Sequence, residues 1–415
     1  MKEALFGKTI DELIPLVREA GLPSFTGRQI AEWLYHHRID SIDGMTNLSK
    51  AARKKLGEKY TVGKSSPVDV TESADGTRKY LFTAGDNNYI ESVFIPEKNR
   101  NTLCLSCQAG CRMGCHFCMT GMQGFRGNLD AGEIINQVVS IPESDKLTNL
   151  VYMGMGEPFD NTENVIKSIE ILTSDWGFSM SPRRITVSTI GIIRGMKEFL
   201  ARTGAHLALS LHNPFPEERI ELMPAVKTNS LDEVMRVINE FDWGRQRRIS
   251  FEYIMLKDLN DNDRHINGLT KLLGGLRCRL NLIRFHSVPG MPFESSDSET
   301  IKRFRDRLNE RGITATIRAS RGEDILAACG MLSTTKQGAG GRGQGAGSAC
   351  FTLRSLFLQL LYFLEMFYCH FFAGVTGRLA VFLKLILQVV YFFPGPCSNM
   401  PVPLERGVTC HQEED

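Results

Sequence analysis

Almost no net charge is left once the 49 Lys and Arg residues are set against the 47 Asp and Glu residues; the chain carries +2 at pH 7. Such a balance neither demands nor excludes a nucleic-acid partner, because a local basic patch decides that question rather than the total. A secretory leader is also missing: Met1-Lys2-Glu3-Ala4 runs into a charged, helical-looking segment with no apolar core. A clean membrane span is missing too. The apolar run Leu356–Val375 is interrupted by Glu365 and His370, and the run Leu379–Phe393 is short and contains Lys384. Eleven cysteines in a leaderless chain point to metal or redox chemistry in a reducing cytoplasm rather than to a disulfide scaffold. The apolar fraction of 42% and charged fraction of 23% are ordinary, so a sizeable core is expected.

Residues 1–62 read as a small helical domain. Ile10, Leu13, Ile14 and Val17 recur at helical spacing up to Gly21 and Pro23. Thr26 reads as the N-cap of a second helix, with Gln29 completing a capping box. A third helix, Leu48 to Tyr60, carries Lys50, Arg53, Lys54, Lys55 and Lys59. A solvated face is the simpler account of that charge, although a helical module ahead of a catalytic domain is also a place to grip RNA. Residues 63–100 read as a β-hairpin extension with turns at Asp75-Gly76 and Gly85–Asn88. Glu91 falls in its last strand, where a lone carboxylate carries no functional weight by itself.

From 101 to 336, strand-like runs at 102–106, 150–153, 185–188, 206–211, 249–255, 279–285 and 313–317 alternate with helical runs. This alternation predicts an α/β fold of βαβ units, a partial (β/α)6-type barrel, with its working residues at the C-terminal ends of the strands. Past Lys336 the texture changes. Residues 337–349 are a Gly-rich linker by composition, and 350–415 form an apolar tail. A membrane-associated hairpin, an interaction tail and an out-of-frame extension compete there, and the abrupt break favours the last.

The chemistry concentrates in Cys111-Arg112-Met113-Gly114-Cys115-His116-Phe117-Cys118. Zinc takes four protein ligands in structural sites, so His116 or Cys107 would have to complete a knuckle. A cubane iron–sulfur cluster also takes four ligands, usually thiolates, and three thiolates leave one iron open to a small molecule. Gly154-Met155-Gly156-Glu157-Pro158 follows a strand; its glycines permit close backbone approach and Glu157 can accept from an ammonium. Alone, that motif equally fits a turn with a capping acid. Ser188 and Ser210-Leu211-His212 lie at later strand ends, where serine is commonly a turn former. Cys329, in an apolar run, reads alone as a small core residue more often than as a nucleophile.

Taken together and in order, these stretches resemble a known family. Phe25-Thr26-Gly27-Arg28-Gln29-Ile30 with Trp33, Glu91-Ser92-Val93, Cys104–Cys111, Cys115–Cys118, Met153–Pro158, Ser210–His212, Arg321–Asp324 and Cys329-Gly330 are similar to the radical S-adenosylmethionine (SAM) dual-specificity RNA adenine-C2 methyltransferases. The resemblance spans residues 5 to about 336 and extends to the kindred C8 methyltransferases. It implies one [4Fe-4S] cluster on Cys111, Cys115 and Cys118, and SAM held by Gly156, Glu157, Ser188, Ser210, Leu211 and His212. It also implies two SAM molecules per turnover: Cys329 takes a methyl from the first, and a radical from the second activates that methyl for addition to adenine. Cys104 then releases the product by forming a disulfide with Cys329, and Glu91 accepts a proton. The implied partners are 23S rRNA, tRNA and a reducing electron-donor protein. A ring carbon that is not nucleophilic makes polar methyl transfer a poor route and favours a radical one, and the base has to be unstacked or in an accessible loop to reach a buried pocket. Two positions depart from the family pattern. His286 stands where many relatives have a SAM-binding Asn, and is kept as a SAM-site candidate; Cys107 stands where many have Ser, and is expected to be a bystander. The nearest rival reading within the resemblance is 23S rRNA adenine-C8 methylation, and a non-catalytic zinc-stabilised RNA-binding protein is the rival from another class.

Overall fold

The structure, a computed structural model, describes residues 2–334 apart from Asp86, residues 245–246 and residues 288–290. The expected linker and apolar tail lie outside the described residues. One ten-stranded sheet organises the chain, and its spatial order follows sequence order throughout. Its strands are β1 (Asp69–Glu72), β2 (Arg78–Ala84), β3 (Asn88–Glu97), β4 (Arg100–Cys104), β5 (Asn149–Tyr152), β6 (Ile185–Thr189), β7 (His206–Ser210), β8 (Ile249–Met255), β9 (Cys278–Arg284) and β10 (Ala315–Ile317). β1 to β4 pair antiparallel and β4 to β10 pair parallel. The segment expected to be a separate hairpin extension is thus the antiparallel edge of the barrel's own sheet.

Each parallel crossover carries a helix of nine residues or more: α4 (Ala131–Val139), α5 (Thr162–Thr173), α6 (Ile193–Arg202), α7 (Leu231–Glu240), α8 (Asp263–Leu273) and α9 (Ser298–Glu310). The starts are written locally, because side chains of Asp130, Ser230, Asn262 and Asp297 accept from first-turn amides that have no partner in the helix. Strand side chains alternate with period two. Ile185, Val187, Leu207, Leu209, Phe251, Tyr253, Leu280 and Leu282 are buried in one core with Ile134, Val165, Phe199, Ile238, Leu269 and Phe304 of the helices. The intervening positions Ser188, Ser210, Glu252 and Ile283 line a cavity near the C-terminal ends of the strands. The polar set facing inward is therefore fixed by the same alternation that builds the core.

Ahead of the sheet stand α1 (Ile10–Glu19), α2 (Thr26–Tyr35) and α3 (Lys50–Lys59). Their core includes Leu13, Val17, Ile30, Leu34 and Leu56, and it continues into Ile135 and Val139 of α4 and Ile171 of α5. The expected cap at Thr26 does not form: Thr26 is buried inside the helix and Phe25 caps it without a side-chain bond. A capping box forms instead one helix earlier, where Thr9 and Glu12 each accept the other's backbone N–H. The Thr-x-x-Glu spacing was present in the sequence; burial of Thr26 overrode the competing signal.

Candidate active site

β4 ends at Cys104, and a small hairpin of Gln108–Gly110 against Phe125–Asn128 then brackets the cysteine loop. Gly110 has φ +73, and a Cβ there would lie 1.9 Å from the Gly124 carbonyl oxygen, so only glycine closes this hairpin. That same oxygen accepts from the Cys111 N–H at 3.0 Å, and the Cys115 carbonyl accepts from the Cys118 N–H at 3.1 Å. Cys111, Cys115 and Cys118 emerge on one cavity together with Gly154, Gly156, Glu157, Ser188, Ser210, His212 and Cys329. Burial pushes all three thiols up, Cys111 to about 12; Cys118 adds to the effect on Cys111 and Cys115, and Cys329 to that on Cys118. Bound metal is what would let them ionise there.

The fourth ligand of a zinc knuckle is not supplied by either expected residue. His116 is exposed, and Cys107 sits in the core, its N–H bonded to the Met155 carbonyl and its own carbonyl to Asn161. Among the described residues no three Cys, His, Asp or Glu side chains gather as for a single ion. Three thiols along one cavity wall instead suit a polynuclear cluster, in which each thiolate binds its own iron.

On the same cavity, Gly156 adopts φ +102, and an added Cβ would lie 2.5 Å from the Gln108 Cβ. Gln108 accepts from the Glu157 N–H at 2.9 Å and donates to Asn128 and Asp160. Glu157 is only 4% exposed. Its carboxylate accepts from the Phe159 N–H at 3.0 Å, the Thr189 hydroxyl at 2.6 Å and the Ile190 N–H at 3.0 Å. It caps the turn Pro158–Asp160, as one sequence reading expects, and it also lines the cavity. Burial raises its pKa to about 7, against the pull of those three donors.

The Ser188 and Ser210 hydroxyls are 3.3 Å apart on the wall. His212, at φ +56, accepts the Ile254 N–H on Nδ1, which places its proton on Nε2. Burial, with Arg219 adding, lowers its pKa to about 3, so the ring is neutral. Arg219 is itself buried and donates to the carbonyls of Leu211, Ile190 and Ser210, tying the ends of β6 and β7 together. Leu211 is not brought to the wall: its side chain is in the core, and its N–H and carbonyl are taken by Glu252 and Arg219.

Cys329 is exposed rather than a core residue. The segment carrying it is pinned across the cysteine loop, with the Met119 N–H on the Gly330 carbonyl at 2.8 Å and the Thr120 hydroxyl on the Leu332 carbonyl at 2.8 Å. A smaller cavity joins Cys329 to Cys104 and Cys118. Cys104 and Cys329 are both free thiols, and burial followed by the charge of Cys329 pushes Cys104 to about 12. Glu91 does not reach the main cavity. It pairs with Lys79 at 3.1 Å and accepts the Ser333 N–H at 2.9 Å, so it holds the segment just beyond Cys329. Burial raises its pKa against the pull of Lys79. His286 lines a neighbouring cavity with Arg318 and Cys329, its Nδ1 3.1 Å from Glu323.

Sequence reasoning missed Arg318, which lies between Cys104, Cys329 and Glu252 and is held firmly charged by Cys329 first. Its signal was position: it directly follows the last barrel strand, on the working rim.

The Radical SAM superfamily profile matches residues 105–267, and the profile of the ribosomal RNA large subunit methyltransferase N-terminal domain matches residues 4–62. A probable dual-specificity RNA methyltransferase RlmN of Phocaeicola vulgatus is 53% identical over 336 residues, covering 81% of this chain and 96% of that protein. The dual-specificity RNA methyltransferase RlmN of Syntrophus aciditrophicus is 42% identical over 78% of this chain and 94% of its own length. Among solved structures, a radical SAM methyltransferase from Sphaerobacter thermophilus superposes with a TM-score of 0.75 at 39% identity, covering 80% of this chain and 99% of that one. The chain belongs to the RlmN-type dual-specificity RNA methyltransferases of the radical SAM superfamily.

Proposed function

We propose that the protein methylates C2 of adenosine in 23S rRNA and in tRNA, in the cytoplasm, with Cys329 as the methyl carrier. The observation that carries this reading is the convergence of Cys111, Cys115, Cys118 and Cys329 on one cavity that Gly156 and Glu157 also line. Three thiols, a glycine backbone packed too closely on Gln108 to carry a side chain, and a buried carboxylate on one cavity fit a [4Fe-4S] cluster and SAM. Cys111, Cys115 and Cys118 would hold the cluster. When bound, cluster and SAM together supply the methyl group and the one-electron chemistry that an unreactive ring carbon requires.

The chain's own residues position and protect. Glu157 offers a buried acceptor to an ammonium, and an ammonium beside it would draw its pKa back down. Ser188, Ser210 and the His212 Nε2–H offer hydroxyls and a neutral donor to ribose and carboxylate groups. Cys329 is exposed, so it can meet both the cavity and an incoming base, whereas Cys104 is buried behind it and is reached only through the smaller cavity. That arrangement supports Cys104 as the resolving thiol. Arg318 provides a fixed positive charge next to both sulfurs. The electron needed per turnover comes from a separate donor protein.

Two variants separate the roles. Cys118→Ala is expected to lose iron, visible absorption and methyl transfer together. Cys329→Ala is expected to lose methyl transfer while keeping iron and absorption, because Cys329 is not a cluster ligand. Loss of the cluster in Cys329→Ala would overturn the assignment.

A further inference from the structure

The opposite end of the barrel holds a second cavity, of about 640 Å³, that the methyltransferase reading does not use. Each of β4 to β9 contributes residues from its N-terminal end, or just before it, and β10 adds the adjoining Thr314: the rim carries Arg100, Arg183, His206, Arg248, Arg277 and Arg279. The volume lies within the range of small-molecule sites. Deeper in, Asn149, Thr186, Ser250 and Asn281 give the lumen neutral donors and acceptors.

Charge is what sets this mouth apart. Arg183, Arg248, Arg277 and Arg279 are exposed and make no ion pair or side-chain hydrogen bond among the described residues. All four line the one cavity, and burial, followed by the charges of Arg248, Arg247 and Arg183, lowers the pKa of His206 beside them. The only carboxylate lining the cavity among the described residues is Glu252. It is already engaged by Asn281 at 2.8 Å, by Ser250 at 3.3 Å and by Arg318 at 3.5 Å. A chain with a net charge of only +2 thus gathers around one concave opening four guanidiniums that have no counter-charge among the described residues. Planar guanidiniums bind phosphate oxygens in a bidentate fork. Trp243, half-buried on the same wall, offers a ring for stacking.

We propose that the N-terminal mouth of the barrel binds phosphate groups, through Arg183, Arg248, Arg277 and Arg279, at a site separate from the cysteine cavity. The phosphates come either from the backbone of the RNA substrate, a case that rests on the function proposed above, or from a free nucleotide. Arg318 and Glu252 line both cavities, so occupation of this mouth is next to the floor of the cysteine site.

The test is the fourfold variant R183Q/R248Q/R277Q/R279Q beside a control that removes equal charge from exposed helix faces, K197Q/K271Q/K302Q/R303Q. Circular dichroism and thermal melting establish that both are folded, as exposed positions predict. Calorimetry with tripolyphosphate is expected to show binding to the parent and control and at least tenfold weaker binding to the mouth variant. Fluorescence anisotropy with a labelled rRNA hairpin across a salt series distinguishes the sources. If RNA phosphates occupy the mouth, its variant alone shows a log–log salt slope shallower by about 3. Loss of tripolyphosphate binding with an unchanged RNA slope assigns the mouth to a free nucleotide. A parent that does not bind tripolyphosphate, or equal losses in both variants, overturns the proposal. Tripolyphosphate binding is read without methyl transfer, so failure here is distinguishable from failure of the methyltransferase reading.

Discussion

Three glycines, each replaced by alanine, test whether backbone geometry rather than side-chain chemistry builds the SAM-facing wall. Gly57 lies within the helix α3, has no atom within 4 Å of an added Cβ and takes no positive φ. Its alanine variant is expected to be more stable by about 0.5–1 kcal/mol, through helix propensity and a stiffer unfolded chain. Gly114, in the cysteine loop, also has open space around a Cβ but adopts φ +63, so only the left-handed backbone resists substitution. Gly114→Ala is expected to cost about 1 kcal/mol. Gly156 combines φ +102 with contacts of 2.5 Å to the Gln108 Cβ, 2.7 Å to its Cγ and 2.9 Å to its backbone N. Because one of those contacts is backbone, rotating the Gln108 side chain does not relieve it. Left-handed strain of about 1–2 kcal/mol and overpacking of about 1–3 kcal/mol sum to about 2–5 kcal/mol. Displacing Gln108 also disturbs its bonds to the Glu157 N–H, Asn128 and Asp160, so SAM affinity falls with stability. Anaerobic urea denaturation of the three variants gives the ranking directly. A Gly156→Ala variant no less stable than Gly114→Ala would refute the close-approach argument.

Other outcomes follow from the same geometry. Glu157 has a folded pKa near 7 against 4.5 for the free group. The folded state therefore holds its proton more tightly, and the stability linked to it is complete below pH 4.5 and lost as pH rises through 7. Relative to Glu157→Gln, the SAM-free protein is expected to lose about 3 kcal/mol across that interval, and paired urea melts at both ends of it check the sign. SAM binding should lower the Glu157 pKa, so proton release on SAM titration is expected near pH 7 and absent in the Gln variant. A chain ended at Lys336 is expected to keep methyl transfer, since the matched 336 residues already span 96% of a curated relative; a folded but inactive product would show that the tail matters.

Much of the fold could be read from period alone. In β8, Ile249-Ser250-Phe251-Glu252-Tyr253 alternates core and lumen residues as it does in the structure, and the N-caps Ser230, Asn262 and Asp297 mark helix starts. The cysteine loop and the Gly-Glu-Pro turn could be placed at strand ends because barrel topology leaves them no other rim. What alternation could not show was long-range pinning. Glu91 is an unremarkable strand carboxylate until the chain returns more than two hundred residues later and sets the Ser333 N–H upon it. Cys329 read as a core residue because it lies in an apolar run, and its neighbours Ala327 and Ala328 are indeed buried, yet Cys329 itself is exposed where Gly330 and Leu332 clamp onto the cysteine loop. Leu211 was grouped with its neighbours by motif, but period two turns its side chain from the cavity into the core. The arginine-rimmed mouth was invisible because its members are spread over residues 183 to 279 and meet only when the sheet curls.

The central claim is adenosine C2 methylation carried by Cys329. The most direct test is mass spectrometry of nucleosides from 23S rRNA and tRNA after anaerobic incubation with cluster-loaded protein, SAM and a reductant, run in parallel for the parent and Cys329→Ala. The account predicts 2-methyladenosine from the parent and none from the variant. 8-Methyladenosine from the parent would contradict the assigned position, and 2-methyladenosine from Cys329→Ala would contradict the assigned carrier.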